Sequence, residues 1–355
     1  MNIRDVYNAK AIALVQTEVA SNAKEYLGAG LFPARKKMGL DLKWVKTSKG
    51  LPVSLAPSNF DANSTIRSRG GFIVKETEMP FFRESMIVKE IDEQEIMRVQ
   101  DSSDPYAADV LSRIFDDANT LIEGAMVVPE RMIMQLFSPA DGSPKISIEA
   151  NGVAHAFNYD PNGDYKTNNF AELSGTTDKW SDVENSDPMG DIAKAMDSVE
   201  AKTGERPFAM IVSRQTMGYL KQNKQIKSAI LAQNATANIF MDDNRVKEIF
   251  SNELGINIVV YSKQYKKEDG TAAQFYPDGF ATLIPNGALG NTWYGTTPEE
   301  RTLMGSKDAD VSIVNTGVAV AVTVSNDPVQ TKTTASEIVL PSYERMDSTY
   351  VIKCY

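Results

Sequence analysis

The chain has 355 residues, with 37 Lys and Arg against 47 Asp and Glu, a formal net charge of −10. Its 42% hydrophobic and 24% charged residues are those of a folded globular protein rather than a disordered one, and the length allows two or three compact units of roughly 100–200 residues each. A single His and a single Cys exclude a His₂ or Cys₄ metal site within one chain and a disulfide framework, and any Ser-His or Cys-His catalysis would have to use His155.

The charge is unevenly placed. Residues 1–60 carry nine Lys/Arg and four Asp/Glu, whereas residues 139–200 carry four basic and twelve acidic groups. A basic arm on an acidic body fits nucleic-acid contact, an arm lying on a neighbouring copy of the same body, or simply two solvated faces. The start of the chain lacks the unbroken apolar stretch of a secretory signal. No window approaches the ~18 apolar residues of a membrane span. The expectation is therefore a soluble protein made in a cytoplasm.

Apolar residues at three- and four-residue spacing predict an amphipathic helix over 3–27, stopped by Gly28-Ala-Gly30, with an extended stretch from Leu31-Phe32-Pro33. From Trp44 to Val88, Pro52, Pro57, Gly70-Gly71 and Pro80 punctuate short strand-like runs. A two-stranded excursion of this kind is marginal in water and needs a partner surface. Asp104-Pro105 then opens a helix whose apolar face persists to about Phe137, with a kink expected at Pro129. At 1.5 Å per residue it is roughly 48 Å long, a spine rather than a small-domain helix. Residues 139–186 are turn-rich. An α/β block to about 316 follows: a helix from Asp187-Pro188 to Gly204, a strand at 208–212, helices around 214–233 and 243–254, and strands at 256–261 and 280–284, with a hairpin turn at Asp269-Gly270. The tail returns to strands at 317–324 and 349–354. The fold class is α+β.

Chemistry-bearing motifs are missing. There is no P-loop and no G-x-G-x-x-G. Asp160-Pro-Asn162-Gly-Asp164 opens like a calcium loop, yet its glycine is at the fourth position rather than the sixth and the twelfth falls on Ala171, so an Asx turn explains it better. His155, on an apparent strand, reads as structural, and Cys354 as a buried small hydrophobe. No catalytic residue, metal site or cofactor is assigned.

Ile66-Arg67-Ser68-Arg69-Gly70-Gly71, followed by Lys75-Glu-Thr-Glu-Met-Pro80 and Met86-Ile-Val-Lys89, resembles the E-loop of lambda-like major head proteins. Leu27–Pro33 looks like their N-terminal arm and the helix after Asp104-Pro105 like their spine helix. The run from Ile258 through Gln274-Phe-Tyr-Pro-Asp278 to Leu289-Gly-Asn-Thr-Trp-Tyr-Gly295 resembles the family's most characteristic segment, and Asn326-Asp-Pro328 begins closing strands like theirs. The stretch 311–324 is longer and more β-rich than the family pattern. The resemblance implies the tailed-bacteriophage major capsid fold, with an N-terminal arm over 1–47, an E-loop hairpin over 48–90, a P-domain with spine helix over 91–186, an A-domain over 187–316, and return strands to the P-domain over 317–355.

The same resemblance implies a major capsid protein that self-assembles, as hexamers and pentamers, into an icosahedral head enclosing phage double-stranded DNA. The alternative is an encapsulin-like cargo compartment of the same fold. Arg67 and Arg69 would donate to carboxylates of a neighbouring subunit, and Gly70 and Gly71 would permit a tight turn or close backbone approach. Because the resemblance starts near Met1, a scaffold-protease and a portal are expected from separate gene products, and a decoration protein could bind. The DNA would be enclosed without sequence-specific contact and no membrane is involved. The implied location is the virion, after assembly in the host cytoplasm.

Overall fold

A computed structural model describes residues 8–13, 26–45, 74–91, 94, 106–150, 153–230, 241–303, 309–326 and 329–355. The chain forms two units. One holds residues 1–43, 76–132 and 291–342, and the other 44–75, 133–290 and 343–355.

The first unit is organised by the strand Val329–Ser342. Along one edge it pairs antiparallel with Val318–Asn326, which pairs in turn with Ala309–Val314. Along the opposite edge it pairs with Phe81–Val88, Glu337 lying across from Phe82. Its last four residues pair with Asn291–Tyr294, to which Ala34–Lys36 adds in parallel, making six strands. With neighbours on both edges, even its polar stretch is buried at Thr331, Thr333, Ser336 and Glu337. The long helix Tyr106–Phe137 runs on through Pro129. It packs Ala118 and Ile122 with Ala9 and Ile12 against Val314, Val320 and Val322 of the sheet; burying side chains of this size contributes about 1.5–3 kcal/mol each.

The second unit is an α/β body around a five-stranded sheet, ordered Phe170–Glu172, Tyr350–Lys353, Phe280–Ile284, Ala209–Val212, Asn257–Val260. Ala209–Val212 is buried throughout, as an unbroken apolar run in a central strand must be. It runs parallel to Asn257–Val260 and reaches it by way of the helices Arg214–Gln222, Lys224–Ile230 and Asp243–Leu254. Asp187 caps the helix Pro188–Thr203, accepting from the Gly190 amide at 2.9 Å, and Gly204 ends it at φ 74°. The core includes Trp180, Met196, Phe250, Leu283 and Ile352. A buried polar chain runs through it: Tyr165 and Tyr343 share Thr349 Oγ1 at 3.1 and 2.7 Å, while Tyr276 pairs with Thr282 Oγ1 at 2.9 Å. Paired in this way, the hydroxyls avoid the cost of burial without a partner.

Two local expectations change. Gly28-Ala-Gly30 does not stop a helix but lies inside one, Leu27–Leu31, because the buried Gly28 amide is accepted by Glu130 at 2.9 Å. The helix expected over 214–233 breaks at Asn223, whose Oδ1 accepts from the Gln225 and Ile226 amides at 3.0 and 3.1 Å and starts a new one. Asn291–Tyr294 and Ala309–Val314 belong to the first unit's sheet, and the two units divide at 290/291 in this part of the chain. Residues 133–186 group with the α/β body, and so does the last strand, Tyr350–Lys353, through its pairing with Phe280–Ile284.

Candidate functional site

Catalytic furniture is the first thing to place. Among the described residues, no three His, Cys, Asp or Glu side chains gather to hold a metal ion. His155 sits on the hairpin formed by Lys145–Ala150 and Val153–Asn158, opposite Ile148 and stacked with Phe157 at 6.4 Å between ring centres. Cys354 is fully buried, and burial pushes its thiol well above the usual range, away from reactivity. Asp160 folds its turn inward: its carbonyl accepts from the Gly163 amide at 3.3 Å and its Oδ2 from the Lys166 amide at 3.1 Å. The first of these bonds closes a β-turn, and the Asx turn of this loop lies just before it, where Asn158 Oδ1 accepts from the Asp160 amide at 2.9 Å.

The surface features that remain belong to the arm and the ribbon. Among the described residues, seven large apolar side chains are exposed, and five of them, Met38, Leu40, Met86, Ile87 and Ile91, fall between residues 38 and 91. Met38 is 90% exposed at the turn between Ala34–Lys36 and Asp41–Val45. The strand Phe81–Val88 is exposed on both faces, at Arg83 and Glu84 and again at Met86 and Ile87. Its edge opposite Val329–Ser342 pairs with no strand among the described residues. An eight-residue strand that exposes Met86 and Ile87 and has no strand on its second edge among the described residues offers a template for another chain.

Charges frame these surfaces. Lys36 reaches Glu300 at 2.6 Å, and Arg83 approaches Glu299 at 3.4 Å while Ser336 Oγ donates to the same carboxylate at 2.8 Å. In the second unit, the acidic stretch is ordered by its own backbone. Asp182 accepts from the Asn185 side chain at 2.9 Å and from the Glu184 and Asn185 amides, which hold its carboxyl below the usual range. Arg206 spans Asp197 and Glu200 at 2.9 and 2.5 Å. The four residues singled out in the sequence, Arg67, Arg69, Gly70 and Gly71, lie outside the described residues. Pattern reading missed the open edge of Phe81–Val88, since which edge of a strand is paired is decided by a segment far along the chain.

A long helix against a sheet, a separate α/β body and exposed apolar side chains near the root of the ribbon are features of the tailed-bacteriophage major capsid fold. The chain belongs to the phage major capsid protein E family, whose model matches residues 12–353. It is a structural capsid protein, and as such a component of the virion. Two solved structures share the fold. A protein described as a prophage capsid protein of Escherichia coli CFT073 is 16% identical with a TM-score of 0.59, covering 98% of this chain and 99% of its own. A phage-related protein of Bordetella bronchiseptica RB50 is 14% identical with a TM-score of 0.56, covering 96% of each chain. None of the curated proteins matches.

Proposed function

We propose that this capsid protein assembles as hexamers and pentamers into an icosahedral head that encloses double-stranded DNA. The 1–47 arm and the 48–90 ribbon lie across neighbouring subunits. The observation that carries this reading is the concentration of exposed apolar side chains and an open strand edge on residues 38–91. Such a surface is costly on a monomer and is covered when copies associate, with many modest interfaces summed by symmetry. In this arrangement Arg67 and Arg69 donate to carboxylates of the adjacent subunit, the acidic 139–200 stretch being the complementary surface, and Gly70 and Gly71 allow the close approach. The first unit acts as the P-domain and the second as the A-domain. Scaffold-protease and portal proteins act during assembly in the host cytoplasm, and the role is structural rather than catalytic. Support for a cargo compartment is weaker, since no feature of the described residues points to an enclosed enzyme.

The test is negative-stain microscopy of the expressed protein, with and without a scaffold, together with the Arg67→Ala/Arg69→Ala variant. Closed shells are expected from the wild type. The variant should assemble poorly while its circular dichroism stays that of the wild type. A wild type that remains a monodisperse monomer at high concentration refutes the shell reading, and normal shells from the variant remove the role of the two arginines.

A further inference from the structure

Buried polar groups in native proteins have partners, and an exception calls for an explanation. Glu337 is such an exception. It is fully excluded from solvent in the middle of Val329–Ser342, and neither Oε1 nor Oε2 accepts a hydrogen bond. Its neighbours on the same face are uncharged: Phe82 directly across, Val339 two residues on, and Tyr294 paired with Val339. The other titratable group that the flanking strands place on this face is Glu84, opposite Ala335 and exposed. Arg83 and Glu299 belong to the other face, where Ser336 donates to Glu299. From the long helix this face receives Ala118, Ile122 and Met126. Burial alone pushes the Glu337 carboxyl well above the usual carboxylate range. The Tyr294 phenol is raised too, by its own burial first and then by Glu337.

Among the described residues an ion in this position meets no cation, and its burial shuts it off from bulk solvent. Either the acid keeps its proton or the structure around it opens. Of the two strands beside the Glu337 stretch of Val329–Ser342, Val318–Asn326 is anchored by buried Val318, Ala319, Val320 and Ala321. Phe81–Val88 has no fully buried side chain and is exposed at Arg83, Glu84, Met86 and Ile87; beyond the partial packing of Val88 and the Ser85–Thr334 and Arg83–Glu299 contacts, the ladder with Val329–Ser342 holds it. Opening therefore falls on the Phe82 side. The geometry points to Glu337 as a proton-controlled latch on the root of the ribbon: the neutral acid lets Phe81–Val88 stay seated, and ionisation unseats it. This device belongs to the subunit itself and does not depend on the shell geometry proposed above.

The test uses hydrogen exchange of the 81–88 amides in the wild-type subunit between about pH 6 and about pH 9, corrected for intrinsic exchange, alongside Glu337→Gln and Glu337→Leu. Because the closed form binds the proton that the open form releases, wild-type exchange should rise with pH across that range, by up to about tenfold per unit. Both variants should be flat. Infrared difference spectra of the wild type against Glu337→Gln should show a protonated carboxyl band at neutral pH. A wild type with no such band, or either variant sharing the wild-type pH response, overturns the latch. If Gln fails to fold, Leu and the wild-type spectrum still decide the matter.

Discussion

Gly317 sits in the turn joining Ala309–Val314 to Val318–Asn326, and Tyr294 fills the space where a side chain would be. A Cβ built there would lie 2.3 Å from Tyr294 Cδ1 and 2.4 Å from its Cβ and Cγ. Those atoms are the base of the ring and cannot swing aside. Tyr294 is fixed by pairing with Val339, and the next amide, Gly295, donates to Ile338 O at 2.8 Å. Gly317→Ala therefore overpacks a site whose two walls are both backbone-anchored. Overpacking of this kind costs about 1–3 kcal/mol, and contacts this short place it at about 2–3. In urea denaturation the midpoint should fall without a change in slope. The melting temperature of a unit of this size should drop by about 4–12 °C. Tyr294→Ala removes the obstacle, so the double variant should recover about 2 kcal/mol relative to the sum of the singles. A Gly317→Ala protein within about 0.5 kcal/mol of wild type, or a strictly additive cycle, refutes the steric account.

Two further outcomes follow from the cores of the two units. Glu130→Ala strips the acceptor from the buried Gly28 amide, so it should cost about 1–3 kcal/mol and speed exchange of that amide; unchanged protection of Gly28 would count against the 2.9 Å bond as its anchor. Trp180→Phe removes the indole N–H that donates to Asp191 Oδ2 at 3.1 Å. Burial already raises the Asp191 carboxyl above the usual range and that hydrogen bond lowers it, so the variant should titrate higher still. Because a raised carboxyl withholds its stability once pH exceeds the unfolded value, the deficit should grow from acid toward neutral pH. Carbon-detected NMR titration of Asp191 and denaturation at two pH values check both signs.

Local signals were legible where the chemistry is local. Asp187-Pro188 and Gly204 bound a helix as the capping rules require, and the apolar face ending near Phe137 marks the end of the long helix. What sequence patterns do not carry is which distant segment completes which sheet. Asn291–Tyr294 looks like a continuation of the α/β block, yet it pairs with Val339–Ser342 and Ala34–Lys36 in the first unit's sheet. The 14-residue strand Val329–Ser342 escapes pattern reading for a related reason. Thr-Lys-Thr-Thr-Ala-Ser-Glu reads as solvated, and its burial comes from strands on both edges rather than from its own hydrophobicity. The latch residue Glu337 was hidden by the same effect. The arginines of the ribbon were legible as chemistry but fall outside the described residues.

The chain passes between its two units at residues 43/44, 75/76, 132/133, 290/291 and 342/343. Neither body can therefore be finished early by a ribosome. The sheet that receives Ala34–Lys36, from the first tenth of the polypeptide, waits for Val329–Ser342, from the last tenth. Nascent chains hold their adhesive edges without a finished sheet beneath them until synthesis is almost over, so competence to polymerise arrives late and all at once. A premature stop anywhere before about residue 342 should yield material for degradation, not a smaller building block.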